Sequence, residues 1–428
     1  MYKKMFKLYL SKIKGTVYYR GGVAAIDQGM ISAINLGVQI LLIKTVIKND
    51  YGYYSVALAV IMYLISFQNA VVNTPITVSI AGKSPEVKNK YISSIFSGQL
   101  LALSIVSIVG LIAVFTLYSF GWDIGETLVA GALSIASFGR LNREFLRSYF
   151  FAEEKPEKVL KLDFYYGLFY AVLISISYII FKINVPLIIL FMGVASGFDS
   201  LILNKSINFS FNLKNIKSAY SENWLISKWS LIGITVTHLQ SYSYLYVIGT
   251  LLGSNAVADV SASRLLLMPL NLFTSGWGNV IRPYGAKLRE QNQLKKLFKN
   301  LILSSLAFMV LVSIITTVLY IFSNWFLETV FTSDYKSVFE YLFFWAILSA
   351  VVFLRANASY GLQVIIKFKS LALYNVATMV ITITLALILT NNIGIKGALL
   401  ASISGEVLFA LILWLNLYKS IFRQKTGI

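Results

Sequence analysis

The sequence predicts an all-α, polytopic membrane protein with twelve transmembrane helices in two pseudo-symmetric six-helix lobes around a central cavity. Hydrophobic residues make up 57% of the 428 residues and charged residues only 13%, whereas soluble domains carry about 25% charged residues. The apolar residues form runs of the roughly 20 residues that cross a bilayer. Basic residues are concentrated between alternate runs, as the positive-inside rule requires.

The apolar runs define twelve predicted spans. The fourth has the shortest apolar stretch, because Asp123 and Glu126 lie in its first turns. The spans cover residues 22–43, 53–80, 91–119, 120–139, 163–182, 184–204, 229–251, 257–282, 300–321, 338–361, 370–390 and 394–417.

The Lys and Arg residues indicate the orientation of these spans. The chain has 37 of them, and most fall in inside segments when the N-terminus is placed in the cytoplasm. Both termini are therefore predicted to be cytoplasmic. The exceptions are Lys44, Lys48, Lys182, Lys336 and Lys396 in outside loops, and Arg264 and Arg355 within spans.

The spans divide the chain into five predicted parts. A cytoplasmic N-tail (1–21) precedes an N-lobe of six spans (22–204), a cytoplasmic inter-lobe linker (205–228), a C-lobe of six spans (229–417) and a cytoplasmic C-tail (418–428). Apolar residues of the N-tail recur at helical spacing, with lysines mostly on the other face. This pattern is typical of an amphipathic helix on the anionic inner leaflet.

The composition excludes several kinds of chemistry. The chain has no cysteine and His238 is its one histidine, so disulfides, thiolate chemistry and Cys-ligated or multi-His metal sites are excluded. The net charge of +19 lies in loops between spans and forms no separate basic domain, so we expect no nucleic-acid partner.

A short motif repeats at half length and carries a resemblance. The stretch Asp50-Tyr51-Gly52-Tyr53-Tyr54-Ser55-Val56-Ala57 leads into the second span, and Val257-Ala258-Asp259-Val260-Ser261 opens the eighth. Duplicated halves with a site between them are a common transporter plan. The first stretch resembles the G-x-Y-S-x-A motif of polysaccharide flippases, which belong to the multidrug/oligosaccharidyl-lipid/polysaccharide exporter superfamily. The region from Ser221-Glu222-Asn223-Trp224 to Pro283 is similar to that family's second-half signature.

The resemblance implies a transporter and no enzyme. Such proteins move an undecaprenyl-diphosphate-linked oligosaccharide repeat unit across the bacterial cytoplasmic (inner) membrane for synthesis of O-antigen, and hence lipopolysaccharide, or another surface polysaccharide. They work by alternating access around a cationic cavity. No cofactor is implied beyond a coupling proton or sodium ion. Membrane lipids, a polysaccharide polymerase and a chain-length regulator are the implied partners.

Ionisable groups within spans are the first candidates for a site, because each costs at least about 2.5–3.5 kcal/mol at the bilayer centre. Arg264 and Arg355 are predicted to contact substrate, since a guanidinium binds phosphate through two hydrogen bonds. The alternative is an internal ion pair with Glu406 or Asp27. Asp27 is predicted to bind a coupling ion, or else to be a structural partner of Arg20 or of an arginine in the second half. Glu406 has the same two interpretations.

Polar residues within spans are the second group of candidates. His238, whose imidazole titrates near physiological pH, is either a proton relay or a hydrogen-bonding residue. The others either line a wet cavity, where tyrosines stack on sugars, or join helices through hydrogen bonds. They are Gln240, Tyr242, Tyr244, Gln68, Asn73 and Asn35.

Three arginines share one helical face at the inner end of the fourth span. Arg140, Arg143 and Arg147 are predicted to attract a diphosphate from the cytoplasm, or else to anchor the span by the positive-inside rule. Glu144 reduces their net charge.

Two other functions stay open. A multidrug exporter of the same superfamily has a less cationic cavity and an amphiphilic cation as cargo, which two cavity arginines would repel. An enzyme, either a membrane polysaccharide polymerase or a polyprenyl-linked glycosyltransferase, typically needs a sizeable outside loop with carboxylates or arginines clustered there. The longest outside loop, 323–335, carries only Glu328 and Asp334 as acids, which disfavours an enzyme.

Overall fold

The structure is a computed structural model that describes residues 17–80, 84–180, 182–203, 207 and 211–423. Within these ranges the chain is all-α and has no strand, as predicted. Residues 1–16 of the predicted N-tail and 424–428 of the predicted C-tail lie outside the described residues. The helices are α1 (Val17–Thr45), α2 (Lys48–Gln68), α3 (Thr74–Ser79), α4 (Pro85–Ser119), α5 (Ile124–Ala152), α6 (Pro156–Ile180), α7 (Val185–Leu203), α8 (Leu213–Leu252), α9 (Ser254–Leu265), α10 (Leu270–Glu290), α11 (Leu294–Ile321), α12 (Ser323–Thr329), α13 (Val338–Val364), α14 (Phe368–Ile393) and α15 (Ile395–Phe422).

Every predicted span coincides with a helix or with consecutive helical segments. Eight helical stretches in the described part of the chain are long and apolar enough to cross a bilayer, so the protein is a multi-pass membrane protein. The remaining predicted spans correspond to α5, α7, α8 and the α9–α10 pair. α7 has only the shorter apolar stretch Val185–Phe198. The count of twelve spans stays a prediction.

Two prolines explain where predicted spans depart from a continuous α-helix. After α2, a π-helical turn covers Asn69–Asn73 and α3 begins with Pro75 in its first turn. Proline lacks an N–H and clashes with the preceding turn, and such single π turns occur as local insertions in helices. The predicted eighth span, 257–282, is interrupted because Pro269 caps α10 and proline disfavours helix at the residue before it.

The described helices belong to two compact units. Unit 1 consists of Met1–Val46 and Ala57–Ile234, and unit 2 consists of Ile47–Val56 and Thr235–Ile428. This division differs from the predicted linker at 205–228, because residues from 213 onward form the long helix α8, within which the boundary falls.

Close helix packing in unit 1 depends on small residues of α5 and α7. A Cβ on Gly139 would collide with the carbonyl of Gly193, and a Cβ on Gly193 would collide with Ala136. Small residues let transmembrane helices approach until their backbones touch. Since α5 carries the three predicted arginines, this contact fixes the position of that helix within unit 1.

In unit 2, α10, α11, α13 and α15 contribute to a buried apolar cluster that includes Leu301, Leu362 and Leu413. Phe308 of α11 stacks on Phe353 of α13 with ring centroids 3.9 Å apart. Gly405 of α15 lies directly against the side chain of Thr382 on α14. These contacts fix the helices that carry Arg355 and Glu406.

Candidate functional site

A polar cavity of about 220 Å³ lies within unit 2. Residues of α8, α9, α10, α11, α13 and α15 line it, and they include five residues that the sequence singled out. Those five are Gln240, Tyr244, Arg264, Arg355 and Glu406. Further polar lining comes from Ser241, Asn271, Thr274, Ser349 and Ser402.

Arg264 lies in this cavity among aromatic rings. Its Nη1 donates a hydrogen bond to the Tyr244 hydroxyl at 2.8 Å. The guanidinium carbon lies 5.4 Å from the ring centroid of Tyr242 and 5.5 Å from that of Trp345. Contacts at this distance are attractive because the ring face is electronegative. No carboxylate of the described residues lies within 4.0 Å of the Arg264 guanidinium, so its positive charge is not neutralised there.

Arg355 is held differently, because it pairs with an acid. Its Nε donates to Oε2 of Glu406 at 2.6 Å. The other carboxylate oxygen of Glu406 accepts a longer hydrogen bond of 3.4 Å from Nε2 of Gln240. Arg355 keeps 23% of its side chain exposed and lines the cavity. An internal ion pair with Glu406 or Asp27 was the predicted alternative to substrate contact. Arg355 forms this pair with Glu406.

His238 and Tyr242 form a stack on α8. Their ring centroids are 4.6 Å apart, and the His238 Nε2 lies 3.0 Å from the Tyr246 hydroxyl. These contacts fit the hydrogen-bonding interpretation of His238, and the proton-relay interpretation stays a prediction. Tyr242, on α8, also contacts Arg264 of α9.

A second cluster of charges lies within unit 1, on α1, α5 and α6. Arg147 of α5 donates to Asp27 of α1 at 3.0 Å and lies 3.1 Å from Asp163 of α6. Arg143 donates to Asp163, and both side chains are fully buried. Arg140 approaches Glu144 at 3.6 Å. The cluster pairs three arginines with three acids.

This arrangement bears on two sequence-based expectations. Asp27 pairs with Arg147 of the same unit, which was not one of its predicted partners. The side chain of Arg20, which was one of them, is not among those that the structure describes. Arg140 and Arg143 are buried, so they are not cations free at the membrane surface. They lie in the interior because acids on α5 and α6 offer partners there, and attraction of a diphosphate by this cluster stays a prediction.

The amides predicted to line a cavity make contacts within unit 1. Gln68 donates to the side-chain oxygen of Gln99 at 3.0 Å and to the carbonyl of Leu141 at 2.8 Å, which fits the helix-joining alternative. Asn73 donates to Asn69 within the π turn at 2.7 Å. Asn35 accepts through its carbonyl from Gln39 one turn later.

Asp163 and Trp345 belong to these sites but were not predicted from the sequence. Asp163 is the first residue of the predicted fifth span, so its position beside the arginine-rich inner end of the fourth span was an available signal. Trp345 donates from Nε1 to Ser263 at 2.9 Å, which fixes the ring that faces Arg264. Nothing in the sequence distinguishes it from an interfacial tryptophan.

Comparisons with known proteins place the fold. No model of a known protein family matches the chain, and no curated protein matches its sequence. A multidrug resistance MATE family transporter of the MOP superfamily, in an inward-facing conformation, is 13% identical with a TM-score of 0.72, covering 92% of this chain and 96% of that chain. The lipid II flippase MurJ, in an inward closed conformation, is 16% identical with a TM-score of 0.72, covering 91% and 86%.

A third similar structure is a MOP superfamily transporter from Pyrococcus furiosus Vc1, described as having a binding pocket of reversed polarity. It is 12% identical with a TM-score of 0.62, covering 95% of this chain and 97% of that chain. At these identities the comparisons establish the fold: the chain is a polytopic membrane protein with the two-lobed helical architecture of MATE and MurJ transporters.

Proposed function

We propose that the protein is a flippase that moves undecaprenyl-diphosphate-linked oligosaccharide repeat units from the inner to the outer leaflet of the bacterial inner membrane. The translocated repeat units are used to build O-antigen or another surface polysaccharide. A polymerase and a chain-length regulator are the proposed partners. The observation that carries the proposal is Arg264, a cavity guanidinium without an acid partner among the described residues. The fold and the motif resemblance support a transporter.

The chemistry of the cavity suits an anionic sugar lipid. Arg264, Arg355 and Glu406 together leave one net positive charge in its lining. A guanidinium makes strong paired hydrogen bonds to phosphate oxygens. Tyr244, Trp345 and the polar residues of the lining offer the stacking surfaces and hydrogen bonds that sugars need. Because pockets for whole drug-sized ligands measure about 300–1,000 Å³, this cavity takes only part of such a substrate.

The charge cluster of unit 1 is the candidate for ion coupling in an alternating-access cycle. Asp27 and Asp163 share Arg147, so adding a proton to either carboxyl group changes the charge balance of a buried network. Buried ionisable groups within membrane spans commonly form proton relays. Glu406 is the second candidate, and a sodium ion is the alternative to a proton.

A multidrug exporter is the second candidate function. Its support is that the MATE transporter and MurJ match the fold with the same TM-score of 0.72, and that Glu406 offers the cavity a carboxylate that can bind a cation. Arg264 and Arg355 disfavour it, since they repel a cationic cargo.

Deletion of the gene tests the two functions against each other. We expect lipid-linked repeat units to accumulate on the inner leaflet of the deletion strain, and surface polymer to return on expression of the wild-type chain but not of Arg264→Gln. Normal polymer together with increased sensitivity to cationic dyes would favour the exporter. Genes for glycosyltransferases and a polymerase beside this gene would support the flippase.

A further inference from the structure

The two arginines of the unit 2 cavity are held by different kinds of group. Arg264 is held by aromatic rings and a hydroxyl, none of which removes its charge. Arg355 is held by the carboxylate of Glu406 at 2.6 Å. Both arginines line the same cavity. While Glu406 is paired with Arg355, only Arg264 of the two is available to an anion.

We propose that Glu406 is an internal competing anion, which occupies Arg355 while the cavity is empty and is displaced from it by the anionic group of the substrate. The inference rests on the proposed function, because it assumes that the cargo carries an anionic phosphate group. It assigns Glu406 the control of affinity and release in addition to any coupling role.

The geometry of the pair suits displacement. Glu406 is bound by Arg355 through Nε. Among the described residues, its second oxygen receives only the long 3.4 Å hydrogen bond from Gln240. The pair joins α13 to α15, and its arginine is partly exposed to the cavity. A phosphate can therefore approach the guanidinium from the cavity and compete for it, since phosphate oxygens make the same charge-assisted hydrogen bonds as a carboxylate.

Without substrate and without Glu406, Arg355 would add a second unpaired positive charge to that of Arg264 among the described residues of the cavity. An unpaired charge within a membrane protein is costly, and removing one partner of a buried ion pair leaves an uncompensated charge. Glu406 lowers that cost for Arg355 when no substrate is present. Because it must be displaced, it also weakens substrate binding, and a site that both binds and releases its cargo requires limited affinity.

The binding test uses the full-length protein in lipid nanodiscs and farnesyl diphosphate as the probe. We expect Glu406→Gln, which keeps the size of the side chain but removes its charge, to bind the probe about tenfold more tightly than the wild type, within the usual range of coupling between two ligands. The same variant is expected to move a lipid-linked diphosphate across liposomes more slowly, because release becomes harder.

Glu340 provides a matched control. It pairs with Lys396 at 3.2 Å and so joins the same two helices, but it lies outside the cavity and both side chains are more than half exposed. Glu340→Gln should leave the affinity for farnesyl diphosphate unchanged. If only Glu406→Gln binds farnesyl diphosphate more tightly, the effect belongs to the cavity. If both variants bind it equally more tightly, the proposed role of Glu406 is overturned.

Unchanged or weaker binding by folded Glu406→Gln also overturns the proposal, because Glu406 would then only position Arg355. If that variant does not fold, Glu406→Asp replaces it. The shorter side chain reaches Arg355 less well, so we expect tighter binding of farnesyl diphosphate. Binding no tighter than that of the wild type would contradict displacement.

The controls separate this inference from the proposed function. If the wild type binds farnesyl diphosphate and Arg264→Gln weakens that binding at least tenfold, while Glu406→Gln changes nothing, only the displacement proposal fails. If the wild type does not bind the diphosphate but binds tetraphenylphosphonium, and Glu406→Gln loses the cation, both proposals fail and the exporter interpretation replaces them.

Discussion

Arg355 of α13 and Glu406 of α15 join two neighbouring helices of unit 2 through a hydrogen bond of 2.6 Å between Nε and Oε2. The pair faces a cavity in which the second arginine, Arg264, has no acid partner among the described residues. The lining therefore carries a net positive charge, which is the physical basis of the anionic cargo proposed above.

Substitution of Arg264 should weaken binding of a diphosphate. A hydrogen bond to a charged group contributes about 1.5–3 kcal/mol, so Arg264→Gln should lower affinity by about 10- to 150-fold. Arg264→Lys, which keeps the charge but loses the planar fork, should fall in between. Binding of farnesyl diphosphate to protein in nanodiscs measures both. The control is Arg282→Lys, on α10 but outside the cavity lining, and an equal loss in that variant would contradict a specific role for Arg264.

Asp163 should be important for stability, because it is the buried partner of Arg143. Removing one member of a buried ion pair costs about 3–5 kcal/mol, whereas breaking the exposed Glu340–Lys396 pair should cost about 0–1 kcal/mol. Thermal unfolding in detergent, followed by tryptophan fluorescence, should show a large decrease in Tm for Asp163→Asn and a small one for Glu340→Gln. Similar values for the two would show that the unit 1 network does not stabilise the fold.

Gly139 should tolerate no larger side chain, because a Cβ there meets the backbone of α7 at Gly193. Overpacking of this kind costs about 1–3 kcal/mol, so Gly139→Ala should lower the Tm. Gly37 is the matched control: it lies in α1, and apart from its own stretch of helix no atom of the described residues lies within 4 Å of an added Cβ. Gly37→Ala should be neutral or stabilising by up to about 1 kcal/mol, since alanine favours helix. A Gly139→Ala protein as stable as Gly37→Ala would contradict the close contact of α5 with α7.

Glu153, just after α5, should stabilise the protein in a pH-dependent way. Burial tends to raise its pKa, but hydrogen bonds and charges from Lys88 and Lys155 outweigh burial and hold the pKa of Glu153 below its usual value. A lowered pKa in the folded state means that the stabilisation is present above the pKa of the unfolded chain and disappears as pH falls through that of the folded state. The Tm difference between wild type and Glu153→Gln should be present at pH 7 and shrink towards pH 3. A constant difference would show that the charge of Glu153 is not responsible.

Much of the helical layout could be predicted from the sequence, because long apolar runs admit only helix in a bilayer. The interruptions of the second and eighth predicted spans were not predicted, although Pro75 lies at the first interruption and Pro269 at the second. The linker at 205–228 stays a prediction. From residue 213 onward its residues belong to α8, which continues into the predicted seventh span.

The pairing of charges could not be predicted, because it depends on which helices are neighbours. Glu406 was a predicted partner of Arg355, but Arg147 was not among the predicted partners of Asp27 and Asp163 was not a predicted site residue. Two lysines in predicted outside loops also form ion pairs that depend on which helices are neighbours. Lys48 pairs with Asp259 at 2.7 Å and Lys396 with Glu340 at 3.2 Å, so each has an acid neighbour that composition alone does not reveal.

Transport of a defined lipid by the purified protein tests the account most directly. Liposomes with and without the protein are loaded with a fluorescent undecaprenyl-diphosphate oligosaccharide, and a membrane-impermeant quencher reports the fraction of headgroups in the outer leaflet. We predict rapid redistribution of the lipid with the wild type, none above empty liposomes with Arg264→Gln, and wild-type rates with Arg282→Lys. If the wild type does not exceed empty liposomes but moves tetraphenylphosphonium, the cavity of unit 2 does not serve an anionic glycan lipid.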